Sequence, residues 1–253
     1  MVAISLADPR VVKSWTTRGR AGGVWAPGGI SSDGKSLFIA TGNTIDAETW
    51  SDGEAVIRLT PDLHRSDDKR DFFAPSDWRA LDALDADLGG SNPLPLDVPQ
   101  PGGGEALVLA LGKDGKAYLL DRNDLGGIGG ALAVETGATG PIKTAPAAYP
   151  VADDIFVAFQ GEGANCPAPG RDSGLTALKI QSGSPPAMTT AWCASVFGAG
   201  SPIVTTTDGR ANPIVWILGA EGDNRLHDSA ATPASRFLWG HLMSWPVFAT
   251  SKP

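Results

Sequence analysis

Four times along the chain a short hydrophobic run ends in a tight polar turn and the chain doubles back. The runs are Leu37–Ala40, Leu107–Leu111, Ile155–Phe159 and Ile214–Leu218, and their starts lie 70, 48 and 59 residues apart. The turns that follow hold Gly42-Asn43, Gly112-Lys113-Asp114-Gly115, Glu162-Gly163-Ala164-Asn165 and Glu221-Gly222-Asp223-Asn224. Asp-Gly between extended runs, as at Asp33-Gly34 and Asp114-Gly115, is a strong hairpin signal. A recurring β-β unit of this size predicts small sheets that stack, because one such sheet cannot bury both of its faces alone.

Composition agrees. With 32 glycines and 20 prolines in 253 residues, short strands joined by turns are favoured over helices. Trp78–Leu88 has some helical spacing but is short, and one or two turns of helix are expected there. The chain is therefore expected to be all-β, a single domain over 1–253 with repeats at roughly 21–73, 90–134, 142–194 and 199–228. Residues 1–20 read as the last strands of an earlier unit. Residues 60–104 read as an Asp- and Pro-rich insertion, Gly126–Gly130 as a flexible turn, and 229–253 as an irregular segment.

The formal charge of −8, with no basic run, excludes a nucleic-acid partner on electrostatic grounds. It suits cation binding or plain solubility. No apolar stretch reaches membrane-spanning length, and the first residues lack a basic leader with an apolar core. The chain as written is expected in the cytoplasm, with export possible for longer relatives. Cys166 and Cys193 are the only cysteines. A disulfide between them and two free thiols are both compatible with the sequence.

Gly112-Lys113-Asp114-Gly115-Lys116-Ala117-Tyr118-Leu119-Leu120-Asp121 resembles the blade hairpin of pyrroloquinoline-quinone (PQQ)-type β-propellers. Gly200–Val204 followed by Gly219–His227 is similar to the first three strands of another such blade. The resemblance implies a β-propeller-like repeat of about four antiparallel blades, incomplete relative to the family. Its dehydrogenase branch implies a quinone stacked between a Trp and a disulfide of adjacent cysteines, with calcium held by Glu, Asn and Asp. This chain has no adjacent cysteines, so PQQ is expected to be unlikely.

Turns of one class gather on one face of a propeller. Asn43, Glu162, Asn165, Glu221, Asp223 and Asn224 are therefore the candidate calcium ligands, since calcium takes six to eight hard oxygens. The competing explanation is that Asn, Asp and Gly are what tight turns require. His227 is the candidate general base beside a metal-bound water. The function expected on these residues is a calcium-dependent hydrolase of a small ester or lactone. The alternatives are a non-catalytic binding or assembly scaffold and a quinone-dependent dehydrogenase fragment. A homodimer through exposed sheet edges is expected. Asp46–Asp52 reads as a solvated acidic loop, and Trp25, Trp192 and Trp216 as packing between blades.

Overall fold

The computed structural model describes residues 1–167 and 174–230, and these are predominantly β. β1 (Val2–Ile4) and β2 (Val12–Ser14) form an antiparallel hairpin. Sheet 1 pairs β3 (Ser31–Ser32), β4 (Leu37–Ala40), β5 (Val56–Leu59) and β6 (Phe72–Ala74) in chain order, and α1 (Trp78–Leu84) follows. Sheet 2 pairs β7 (Leu94–Val98), β8 (Glu105–Leu111) and β9 (Lys116–Asp121). The chain then returns to sheet 1 as β10 (Gly127–Ile128), parallel to β6, before β11 (Ala133–Thr136) completes sheet 2 beside β9. Sheet 3 is β12 (Ala147–Val151), β13 (Asp154–Gln160), β14 (Leu175–Gln181) and β15 (Ala187–Ala194). Sheet 4 is β16 (Ile203–Thr205), β17 (Ile214–Leu218) and β18 (Leu226–Ala230).

Successive side chains of a strand point to opposite faces. Here both faces are buried. In β8, Val108 and Ala110 pack with Phe38, Val56 and Phe73 of sheet 1. Leu107, Leu109 and Leu111 of the same strand pack with Ile155, Val157 and Phe159 of sheet 3. In β13 the other set, Phe156 and Ala158, meets Val215 and Ile217 of sheet 4. Ile39, Ile57 and Leu59 turn from sheet 1 toward Met1, Ala3 and Trp15 around the hairpin. The order of packing is thus hairpin, sheet 1, sheet 2, sheet 3, sheet 4. Continuous apolar runs are what a two-sided core demands.

Several expectations change. The 60–104 stretch is not a plain insertion, because it supplies β6, α1 and β7. β7 carries Pro95 at the edge of sheet 2, where a missing N–H costs no ladder bond on the open side. Gly127 and Ile128 are a short parallel strand rather than a free turn. Ser229 and Ala230 belong to β18, and residues 231–253, with His241 and Phe237–Pro246, lie outside the described residues. Trp192 is buried between sheets 3 and 4, whereas Trp25 is exposed and Trp216 half-buried. Cys166 and Cys193 form a disulfide, with Cα atoms 5.7 Å apart. No helix among the described residues is long and apolar enough to cross a membrane.

Leu109 is fully buried between sheets 2 and 3, while Leu84 is exposed at the end of α1. Leu109→Ala is expected to cost about 3 kcal/mol and Leu84→Ala less than about 0.5 kcal/mol. Urea unfolding midpoints of the two variants measure the difference.

Candidate functional site

Each sheet's second strand runs into its polar turn, and the connector entering that sheet is hydrogen-bonded to the turn. Gly42 N–H donates to the Gly23 carbonyl at 3.0 Å and Lys113 N–H to Asp87 at 3.0 Å. Thr139 N–H donates to Glu162 at 2.8 Å and Asp223 N–H to Phe197 at 3.0 Å. Connectors have no ladder partner, so their backbone groups need these turns. The approach is close. A Cβ on Gly42 would lie 2.4 Å from an Asp87 oxygen, and one on Gly222 would lie 2.2 Å from the Phe197 carbonyl oxygen.

The nominated side chains serve these turns one at a time. Glu162 accepts from Thr139 Oγ1 at 2.9 Å, and Asn165 Nδ2 donates to Glu135 at 2.8 Å. Asp223 accepts from Arg225 N–H at 3.0 Å and meets His227 Nε2 at 2.8 Å. Burial pushes the Asp223 carboxyl up, but the Arg225 N–H and the His227 ring together outweigh it and leave it below its ordinary value. Glu221 and Asn224 hold left-handed backbone at φ 60° and 55°, a turn requirement. Asn224 Nδ2 donates to Gly222 O at 3.5 Å, a marginal contact.

Asn43 stands apart from the others. It lines a cleft of about 460 Å3 together with Thr44, Asp46, Glu48, Arg79 and Asp82, a volume large enough for a small molecule. Three carboxylates fasten the wall of this cleft to α1 and the segment after it. Asp82 accepts from Thr44 N–H at 3.0 Å and Thr44 Oγ1 at 2.8 Å. Asp87 accepts from Asn43 N–H at 2.9 Å and is ion-paired with Lys113. In the reverse direction Glu54 accepts from Leu88 N–H at 2.7 Å. The sequence alone does not single out Glu54, Asp82 or Asp87. Nothing in the local pattern of Gly53-Glu54-Ala55-Val56 marks Glu54 as buried, because the residues that cover it come 34 positions later.

The far end of the same loop is held by Asp52, which is buried rather than part of a solvated acidic cluster. It accepts from Arg18 N–H at 3.0 Å, Arg18 Nη2 at 2.7 Å and Arg65 Nη1 at 2.6 Å. Its side chain is 2% exposed and that of Arg65 is 4% exposed.

No protein-family model matches the chain, and no curated protein matches it. Among solved structures it is similar to the quinohemoprotein alcohol dehydrogenase ADHIIG from Pseudomonas putida HK5, at 12% identity and a TM-score of 0.45. The likeness covers 79% of this chain and 45% of that one, so the chain spans less than half of its length.

Two expectations are corrected. The calcium-dependent hydrolase is set aside, because among the described residues no three His, Cys, Asp or Glu side chains gather to hold a metal ion. The expectation that PQQ is unlikely is withdrawn as well. The structural likeness assigns no residue of this chain to a quinone. The disulfide joins cysteines 27 positions apart, packed against Gly163, so this pair does not make the stacking site of adjacent cysteines.

Removing Asp52 leaves the Arg65 guanidinium buried without its carboxylate. Asp52→Ala is expected to cost about 3 kcal/mol. Asp67, which meets the same arginine from a position 86% exposed, should lose less than about 1 kcal/mol as Asp67→Ala. Chemical denaturation of both variants checks the contrast.

Proposed function

We propose that this chain is a non-catalytic assembly scaffold, a propeller-like stack of small sheets that associates with a second copy through the face of sheet 4 that no other described residue covers. The observation that carries the reading is that the face of sheet 4 turned away from sheet 3 exposes large apolar side chains, with Thr205 and Asp228 as the polar residues among them. Val204, Val215 and Ile217 face sheet 3. The register puts Ile203 beside Trp216 and Leu218 beside Leu226 on the opposite face. There Ile203 is 61% exposed and Leu226 40% exposed. Each inner sheet of the stack has the same two-sided pattern, and each has a sheet against both faces. A further sheet is therefore the occupant that the surface chemistry suits, and a flat apolar patch of this kind is uncommon on an isolated surface. The turns support a structural role as well, since their polar groups bind connectors.

We place the protein in an oxidising compartment rather than the cytoplasm, because a structural disulfide such as Cys166–Cys193 persists there.

Light scattering on the wild type and on the double variant Ile203→Asp/Leu226→Asp tests the scaffold. The expected result is a dimer or larger species for the wild type and a monomer for the variant, with unchanged circular dichroism and a melting temperature within about 3 °C, as for surface substitutions. A monomeric wild type would sink the reading. So would reproducible turnover of an alcohol or ester abolished by a single substitution.

A further inference from the structure

The packing order gives the stack two ends, and sheet 4 is only one of them. The other is the hairpin of β1 and β2, whose Met1, Ala3 and Trp15 pack on sheet 1. Residues opposite one another in an antiparallel ladder share a face. The register sets Ile4 opposite Val12 and Val2 opposite Ser14, with Ala3 and Lys13 on the side of sheet 1. On the outer side Val2 is 66% exposed, Ile4 59% and Val12 55%. Lys13 is the one charged side chain of the two strands, and it is ion-paired with Asp62. The outer face of the hairpin is therefore apolar, with a single hydroxyl and no charge.

We propose that this hairpin face receives sheet 4 of a second copy, so that the chains join head to tail. The proposal rests on the scaffold reading above and names the surface that sheet 4 meets.

Charge separates this contact from a pairing of sheet 4 with itself. Ile203, Trp216 and Asp228 lie opposite one another across β16, β17 and β18, so Asp228 shares the outer face with Ile203. Two copies of that face brought together by a twofold axis would place two Asp228 carboxylates in one apolar layer. Like charges brought into a shared apolar interface are costly. The hairpin adds no charge to the layer. It is also one strand narrower than sheet 4, which leaves Asp228, on the outermost described strand, at the rim of the joint within reach of water.

The other polar groups on the sheet 4 face need no water. Trp216 Nε1 donates to Thr205 Oγ1 at 2.8 Å, so covering the face strands neither group. The joint also repeats a contact the chain already makes. The hairpin's inner face packs on sheet 1 as a layer of the stack, and its outer face offers the same apolar chemistry to the next layer.

A head-to-tail contact uses two different surfaces, and each can be blocked separately. Val2→Asp/Ile4→Asp blocks the hairpin end, and Ile203→Asp/Leu226→Asp blocks the sheet 4 end. By light scattering each variant alone should be monomeric. Mixed in equal amounts they should form a 1:1 complex with twice the mass of one chain and nothing larger, because one intact hairpin and one intact sheet 4 remain. Trp15 N–H donates to Met1 O at 3.1 Å, and its protection from hydrogen exchange shows that the substituted hairpin still pairs. Val12→Asp replaces the double variant if that protection is lost. A hairpin variant that associates like the wild type, beside a monomeric sheet 4 variant, would overturn the head-to-tail contact and leave the scaffold reading standing. A mixture that stays monomeric would overturn it as well. A monomeric wild type would remove both.

Discussion

Sheets 1, 2 and 3 are each apolar on both of their faces, and that single constraint organises the molecule. A sheet with one wet face can stand at a surface; a sheet with two dry faces needs a neighbour on each side. The alternation in β8 shows the consequence, with Val108 and Ala110 feeding one interface and Leu107, Leu109 and Leu111 the next. The strand does not divide residues between core and water. It divides them between two cores. Stability is then passed from sheet to sheet, as in other repeat structures, where each unit depends on its nearest neighbours. The turns and connectors follow from this arrangement, since chain must cross from one sheet to the next at the same end of each second strand.

That organisation is largely legible in the sequence. Runs such as Leu107–Leu111 and Ile155–Phe159 are continuous rather than alternating, and tight turns bound them, which points to strands with both faces covered. The strands hidden from view are those with weak signals. β6 is only Phe72-Phe73-Ala74, preceded by the charged Asp68–Asp71 stretch. β7 contains Pro95 and reads as loop until its place at a sheet edge removes the objection. Both fall inside what looks like an insertion. A partner far along the chain, Gly127–Ile128, holds β6 on one side, and pairing of that kind leaves no local mark; β7 pairs with the next strand, β8, but its proline hides it.

The candidate site is less legible, and for a different reason. Glu162, Asn165, Asp223 and Asn224 are recognisable from sequence as turn residues at matching positions. Their equivalence, however, comes from a shared structural role, in which each turn catches the connector of its own sheet, as with Thr139 on Glu162 and Asp223 on Phe197. Recurrence at corresponding positions therefore signals repeated geometry before it signals a common ligand. The residues that crowd around the cleft, Glu54, Asp82 and Asp87, sit at no repeated position at all. They are brought together by the crossing of the 82–88 segment over the 41–54 loop, which only the folded chain reveals.

Acidic residues in this chain do more than keep it soluble. Irregular segments leave backbone N–H groups without ladder partners, and a carboxylate is the acceptor with the longest reach and the strongest bond to such a group. Burying one is costly unless its charge is matched. The chain meets that cost in three ways. Asp52 is matched by two arginines and Asp87 by Lys113. Asp82 keeps partial contact with the cleft and bonds to Thr44 through both backbone and side chain. Glu54 has neither a cation nor a route to solvent, and a single N–H is too little to hold a charge that deep. Burial accordingly pushes its carboxyl up to about 8. The number of donors and cations around each carboxylate thus decides whether it stays ionised once buried, and Glu54 falls on the other side of that line from Asp52 and Asp87.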